Sequence, residues 1–413
     1  MAVLSFVQAV LVCGLAAFPE GAMPVRVAGP WSIEVGPGAV KVEGSEHRLE
    51  AAQALAVKPA ALVEVRGETH ERLPVFEPKA GGWRKGTRLQ ALITEECTAT
   101  GLLAPASVRV RAAGGDAREF TMDKDYALDS FWGTLGRLEG GAIGPEQAVT
   151  VDYDYTPQRL DLVVLDSGKA RLIEGTPGVG AFPPPTPPAD AILLGTVWQA
   201  GHVDALSEEN LFPVDYALPP VMPTPAAEQL LPNTLAKLRA GETVTIVAWG
   251  DSVTAGGGVG SDTAAWYQNQ FVERLSACFP GTKIMTRTAA WPGAGSRQYL
   301  EAPAGGKYDF ARDVLEPKPD LVTIEFVNDA YLDEAGVVAH YGQILERLRE
   351  NGSEVILITP HLVRPDWMKV ETLKFDEDPR PYVKGLRAFA ATQHVALADA
   401  SVLWCRLWRQ GVP

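Results

Sequence analysis

The spacing of apolar residues divides the chain into two regions. From about Ala22 to Arg171, short runs of alternating apolar and polar residues recur between Gly, Pro and Asp residues, which is typical of strands joined by turns. The runs are Trp31–Val35, Ala61–Arg66, Val108–Ala112 and Val149–Tyr155. Residues 159–173 predict a hairpin that turns at Ser167-Gly168. This region is therefore predicted to be β-rich and sandwich-like.

From Gly241 onward, apolar strands alternate with amphipathic helices. The predicted strands are Thr243–Trp249, Lys283–Ala289, Asp320–Val327, Glu354–Thr359 and Val395–Ala398. The predicted helices are Thr263–Cys278, Ser296–Val314, Glu334–Glu350 and Pro381–Gln393, after an earlier one at Glu228–Arg239. This alternation predicts an α/β fold, a three-layer doubly wound parallel sheet.

One helix shows the pattern especially well. Its apolar positions predict a single buried face in Glu334–Glu350. The residues of that face are Val337, Val338, Tyr341, Ile344, Leu345 and Leu348.

Composition suggests where the domains divide. Six prolines between Gly175 and Asp190 predict a stiff, extended linker. We therefore expect a candidate signal peptide at 1–21, a β-rich accessory domain at 22–174, the Pro-rich linker at 175–190, a connecting segment at 191–240, and the α/β domain at 241–413.

The apolar run from Leu4 to Phe18 has the length of a secretory h-region and is short for a membrane span. No Lys or Arg precedes it and no clean small-x-small cleavage site follows, so a buried N-terminal helix is the alternative. The first interpretation predicts a secreted, periplasmic or cell-surface protein, and the second a cytoplasmic one. No other segment predicts an integral membrane span.

Charge and cysteine content exclude several functions. The 413 residues carry a net charge of −14 without a basic cluster, which argues against a nucleic-acid partner. Cys13, Cys97, Cys278 and Cys405 are scattered without CxxC spacing, so neither a zinc site nor a disulfide framework is indicated.

Candidate chemistry follows the first three strands of the α/β region. Gly250-Asp251-Ser252 ends the first strand, Gly293 lies in the loop after the second, and Asn328-Asp329 follow the third. The carboxyl ends of parallel strands meet at one edge of a sheet, so these loops can converge. A serine nucleophile needs a base, and the oxyanion formed in acyl transfer needs fixed donors. The N–H groups of Ser252 and Gly293 and the side chain of Asn328 could be those donors.

These three ordered motifs resemble the SGNH, or GDSL-type, serine esterase and lipase family, especially its carbohydrate-esterase-like members. The resemblance implies an SGNH-hydrolase-like, flavodoxin-like fold and hydrolysis of carboxylic esters, with deacetylation of a polysaccharide preferred. It implies that Ser252 is the nucleophile, that Gly293 and Asn328 complete the oxyanion hole, and that Asp251 and Asp329 support their loops. Phe326 stands where the family usually has glycine.

The family's last block, Asp-x-x-His, occurs nowhere in the chain. His361 follows the fourth strand and is the candidate substitute, as base or as substrate contact; the alternative is a loop histidine bonded to backbone. His340 and His394 are predicted to be structural. The missing block fits either a non-catalytic glycan-binding or cell-surface protein with a degenerate hydrolase domain, or an α/β domain that is C-terminally incomplete. We expect the latter.

No cofactor or metal is predicted. The glycines after Ser252 lack the Gly-Lys-Ser/Thr of a phosphate loop. Asp251, Asp262, Asp329 and Asp333 match no metal-ligand spacing, and helix capping or loop hydrogen bonding is expected of them. The expected partner is a small ester or an acetylated polysaccharide.

Overall fold

The computed structural model of the protein describes residues 21–42, 44–94, 97–114, 118–180, 183–222 and 224–413. The candidate signal peptide at 1–21 lies outside them except for its last residue. The chain forms two compact units. The first unit runs up to Leu218 and also contains Trp408–Pro413, and the second unit is Pro219–Leu407.

The first unit consists of short strands. They are β1 (Gly21–Ala22), β2 (Val25–Gly29), β3 (Ser32–Val35), β4 (Gly38–Val42), β5 (Ser45–Leu49), β6 (Gln53–Ala56), β7 (Val63–His70), β8 (Thr87–Arg88), β9 (Ile93–Thr94), β10 (Cys97–Thr98), β11 (Leu103–Ala112), β12 (Glu119–Phe120), β13 (Tyr126–Asp129), β14 (Thr134–Arg137), β15 (Val149–Tyr155), β16 (Arg159–Asp166), β17 (Lys169–Ile173), β18 (Ile192–Gln199) and β19 (Leu211–Pro213). Its 3₁₀ turns are Gly82–Lys85, Gln90–Leu92, Glu208–Asn210 and Leu407–Arg409, the last of which begins at the end of the second unit.

These strands pair antiparallel in small sheets, the largest of which are β12-β11-β15-β7 and β17-β16-β18-β19. The β-rich N-terminal region is thus confirmed. The hairpin of β16 and β17 turns at Ser167 and Gly168, whose φ values of 50° and 74° are both positive, as a two-residue type I′ turn requires.

The unit boundary differs from the expected one. Within the Pro-rich segment, Gly178 pairs with Gln158, and β18 and β19 then extend the sheet of β16. The last six residues also pack in the first unit, where Gln410 pairs with Val214. Proline removes a hydrogen-bond donor only locally, so a Pro-rich stretch can lie on a domain without ending it.

The second unit alternates strands and helices. The strands are β20 (Val244–Gly250), β21 (Ile284–Ala290), β22 (Leu321–Glu325), β23 (Glu354–Ile358) and β24 (Ala396–Ala398). The helices are α1 (Ala227–Leu230), α2 (Pro232–Ala240), α3 (Tyr267–Cys278), α4 (Ser296–Glu301), α5 (Glu334–Glu350), α6 (Pro365–Met368), α7 (Pro381–Gln393) and α8 (Ala400–Cys405). Shorter turns lie at Thr263–Ala265, Ala311–Leu315 and Val327–Asp329.

All five strands of the second unit are parallel, in the order β21-β20-β22-β23-β24. Alternate residues face opposite sides of the sheet. Val247 packs in a core with side chains of α4, α5 and α7, whereas its neighbour Ile246 packs with side chains of α2 and α3. This is the three-layer, doubly wound α/β fold with the flavodoxin-like strand order, and it confirms the predicted fold class.

Four helix predictions need correction. The predicted helix Thr263–Cys278 begins only at Tyr267, after a separate 3₁₀ turn and an extended Trp266. The predicted helix Glu228–Arg239 is split before Pro232, which cannot donate a backbone hydrogen bond. The predicted helix Ser296–Val314 stops at Glu301, because Pro303 disfavours helical conformation in the residue before it. In α5, Val338 is 56% exposed, and His340 takes a place on the buried face instead.

Among the helices of the described residues, none is long and apolar enough to cross a membrane.

Gly385 of α7 and Gly342 of α5 offer a matched test of helix packing. A Cβ at Gly385 would lie 3.0 Å from Val337 Cγ2 and 3.1 Å from Glu334 Cα, whereas one at Gly342 would meet no atom within 4 Å. We expect Gly385→Ala to lower the free energy of unfolding by about 1–3 kcal/mol through overpacking. Gly342→Ala should raise it by roughly 0.5–1 kcal/mol, because alanine loses less backbone entropy. Urea denaturation measures both changes, and shifts of the same sign would contradict this account.

Candidate active site

The serine loop begins where β20 ends. A Cβ on Gly250 would lie within 2.3 Å of the carbonyl oxygen of Glu325, so only glycine lets β20 and β22 run this close here. Ser252 is half-buried in the first turn after the strand, and its carbonyl accepts a 2.7 Å hydrogen bond from Gly257 N–H. Gly256 has φ of +80° and lies against the ring of Trp266. The turn is thus held in place by backbone contacts on both sides of Ser252.

Asp251 connects the first and third loops. Its buried carboxylate accepts hydrogen bonds from Val253 N–H at 3.1 Å and from both the backbone N–H and the side-chain Nδ2 of Asn328, at 3.0 and 2.9 Å. Burial raises the pKa of Asp251, and the hydrogen bonds from Asn328 and Val253 oppose that rise. The predicted site residues Asp251, Ser252 and Asn328 are therefore brought together.

Asn328 is exposed, and its amide already has partners. One N–H donates to Asp251, and Nδ2 also lies 3.4 Å from the carbonyl oxygen of Ala294, a long contact. The second N–H is therefore only weakly engaged.

The second loop begins beside the first, where Trp291 N–H donates to the Gly250 carbonyl oxygen at 3.0 Å. Gly293 is exposed with φ of +80°, a conformation that favours glycine, and an added Cβ would meet no atom within 4 Å. Its backbone is therefore open to an approaching substrate.

Asp329 connects the second and third loops. Its carboxylate, fully buried, accepts hydrogen bonds from Ser296 N–H at 2.9 Å, from Ser296 Oγ at 2.5 Å and from the Tyr341 hydroxyl at 2.9 Å. His340 Nε2 lies 2.7 Å from Ser296 Oγ. Burial raises the pKa of Asp329, whereas burial lowers the pKa of His340. The contact of Ser296 with His340 was not anticipated from the sequence, because their partnership depends on where α5 packs.

His361 lies in the loop after β23. Its half-buried ring is 5.9 Å from that of Trp404, and its buried Nδ1 has no hydrogen-bond partner among the described residues. Burial, followed by the positive charge of Arg380, lowers the pKa of His361. Arg380 donates to the carbonyl oxygen of His361 and forms a buried ion pair with Asp378. The other histidines of the second unit are His340, in the network above, and the exposed His394.

Glu325, the last residue of β22, is a buried acid that sequence reasoning missed. Within the described part of the chain, neither of its carboxyl oxygens has a hydrogen-bond partner. Burial, together with the nearby Asp251 and Asp329, raises the pKa of Glu325 well above its usual range. The signal for it was a charged residue at the end of the otherwise uncharged strand Leu321–Ile324.

Metal ligands are not grouped in the described ranges: no cluster of three or more His, Cys, Asp and Glu side chains there could hold an ion. Asp262 and Asp333 cap the helical turns that follow them, accepting from Ala264 N–H and Gly336 N–H. This is the capping role expected of them. The arrangement is suited to acyl transfer, with a serine on a fixed turn and backbone or amide donors on two adjacent loops.

Comparison with known proteins gives one family match. Residues 248–411 match the model of the GDSL-like Lipase/Acylhydrolase family. A search of curated proteins gave no match.

Several solved structures show weak similarity. A two-domain esterase (CEX) active on acetylated mannans is 19% identical, with a TM-score of 0.34 over 43% of this chain and 43% of that chain. The lipase/acylhydrolase from Enterococcus faecalis is 22% identical, with a TM-score of 0.29 over 38% of this chain and 75% of that one. AlinE4, an SGNH-hydrolase family esterase, is 18% identical, with a TM-score of 0.28 over 40% and 79%. The chain thus spans less than half the length of the two-domain esterase.

The family match covers the three loops that the structure brings to one edge of a parallel sheet. The similarity of this chain to the GDSL-like Lipase/Acylhydrolase family therefore extends over residues 248–411.

Proposed function

We propose that the chain is a serine esterase with Ser252 as its nucleophile. The observation that carries the proposal is the Asp251 carboxylate, which bonds both the Ser252 turn and Asn328 and so places nucleophile and amide donor on adjacent loops. Esterases need this proximity because the donor must be in position before negative charge develops on the substrate oxygen.

The reaction would proceed by acyl transfer. Ser252 Oγ attacks the ester carbonyl carbon while a base takes the hydroxyl proton, and negative charge develops on the carbonyl oxygen. The N–H groups of Ser252 and Gly293 and the weakly engaged N–H of Asn328 stabilise that oxyanion. The tetrahedral intermediate then expels the alcohol, which takes up the proton, and water hydrolyses the acyl-enzyme.

The candidate base is His361. His361 lies at the carboxyl end of β23, and its lowered pKa keeps the imidazole neutral at pH 7, which is the form that accepts a proton. We assign it a place in the site as base or as substrate contact.

The substrate we propose is an acetylated polysaccharide. Support comes from the resemblance of the three motifs to carbohydrate-esterase-like members of the family, including Phe326 in place of glycine. A polymeric substrate of this kind would go with a secreted or cell-surface location. Release of acetate from acetylated mannan, xylan or pectin supports this assignment, and activity on long-chain lipid esters alone contradicts it.

A second candidate is a glycan-binding protein without catalysis. Two observations favour it: the chain lacks Asp-x-x-His, and no hydrogen bond among the described residues involves the Ser252 hydroxyl. Glycan binding that survives Ser252→Ala, in a chain that hydrolyses no ester, would support this candidate.

Ser252→Ala is the first test of the nucleophile. We expect the parent chain to hydrolyse p-nitrophenyl acetate slowly, and Ser252→Ala to reduce that to the buffer rate because the attacking oxygen is gone. The matched control is Ser261→Ala, which removes an exposed hydroxyl from the same glycine-rich loop and should leave the rate unchanged. The absorbance of released p-nitrophenol measures both rates. Turnover that persists in Ser252→Ala would rule out this nucleophile.

His361→Ala distinguishes a base from a substrate contact. The pKa of His361 is lowered below 6.5, so a neutral base is present above that lowered pKa. If His361 is the base, kcat/KM of the parent should fall only below pH 6.5, and His361→Ala should lower kcat and remove that acid limb. If His361 only contacts the substrate, His361→Ala should raise KM and leave kcat unchanged. Unchanged kcat, KM and pH profile would exclude His361 from the site.

A further inference from the structure

The buried side chains beside the second and third loops form one connected hydrogen-bonded network. Tyr382 and Tyr341 share a 2.6 Å contact between hydroxyls, Tyr341 donates to Asp329, Ser296 donates to Asp329, and His340 contacts Ser296. All five residues are buried. The network joins α4, α5 and α7 to the loop that carries Asn328, and Ser296 lies three residues after Gly293.

The direction of the hydrogen bonds assigns a tautomer to His340. Ser296 Oγ has one proton, which points to Asp329 Oδ2 at 2.5 Å. The 2.7 Å contact with His340 Nε2 must therefore be donated by the imidazole. His340 thus carries a proton on Nε2, and burial lowers its pKa, which favours the neutral imidazole; the titratable groups around it are Asp329, Arg297 and Glu301.

We propose that His340 is a positioning residue for acyl transfer, acting through Ser296 and Asp329 as the Nε2–H tautomer. The proposal rests on the esterase function above. His340 does not touch the substrate: its N–H orients the Ser296 hydroxyl, and Ser296 in turn holds Asp329 with two hydrogen bonds. Ser296 lies three residues after Gly293, and Asp329 directly follows Asn328. The hydrogen bonds from His340 through Ser296 to Asp329 therefore set the distance between two donors of the oxyanion hole, the Gly293 N–H and the Asn328 side chain.

The test compares His340→Leu, which removes the donor, with His340→Gln, which offers an N–H at a similar reach. We expect His340→Leu to lower kcat for p-nitrophenyl acetate roughly 10- to 100-fold with little change in KM, because misplaced donors weaken transition-state binding. His340→Gln should recover most of that loss. The matched control is Gln343→Leu, an exposed position on the same helix, which should behave like the parent.

A double-mutant cycle tests the route through Ser296. Ser296→Ala should lower kcat at least as much as His340→Leu, and adding His340→Leu to it should have little further effect, because residues that act through one another are non-additive. If the two substitutions lower kcat by independent factors that multiply in the double variant, His340 does not act through Ser296. A glutamine variant as impaired as the leucine variant, or a leucine variant with unchanged kcat, would overturn the positioning role.

Two readouts do not depend on turnover. ¹⁵N NMR of the His340 imidazole should show the proton on Nε2, and hydrogen exchange at the backbone amides of Ser296 and Asn328 should speed up in His340→Leu but not in His340→Gln. If the parent shows no Ser252-dependent turnover, the esterase proposal fails. The NMR and hydrogen-exchange measurements then test by themselves whether His340 orients Ser296 and Asp329. Unchanged exchange in a folded His340→Leu, or a proton on Nδ1, would overturn it.

Discussion

The active-site edge depends on two buried carboxylates that accept hydrogen bonds from loops far apart in the chain. Asp251 holds Asn328, which is 77 residues away, and Asp329 holds Ser296, which is 33 residues away. A buried charge is costly unless hydrogen bonds satisfy it, and each of these groups receives three. Because removing any donor leaves the carboxylate partly unsatisfied, the three loops are coupled to one another.

Glu325 shows the other outcome of burial. It ends β22 and is paired with Gly250 of β20, and neither of its carboxyl oxygens has a hydrogen-bond partner among the described residues. Burial and two neighbouring carboxylates raise the pKa of Glu325 well above its usual range, whereas at Asp251 and Asp329 hydrogen bonds oppose the rise that burial causes. The three acids at this sheet edge thus differ in how many hydrogen bonds offset their burial.

Much of the fold could be predicted because the signals are local. The periodicity of Glu334–Glu350 gave the bounds of α5, and the apolar run before Gly250 gave β20 to within one residue. Errors came where packing competes with local preference. Val338 lies on the exposed side of α5 although it is apolar, and the Pro-rich segment lies within the first unit because β18 and β19 continue its sheet.

The sequence by itself determined the order in which strands and loops follow one another in the second unit. It also determined that Ser252, Gly293 and Asn328 lie in the loops after the first three of these strands. Strand periodicity and turn chemistry act over a few residues and are therefore readable along the chain. Only the tertiary structure decided which partners the site residues have: Asp251 with Asn328, and Ser296 with both Asp329 and His340. Hydrogen bonds form between atoms that packing brings within about 3 Å, and their partners here lie 33 to 77 residues apart, so no local pattern specifies them.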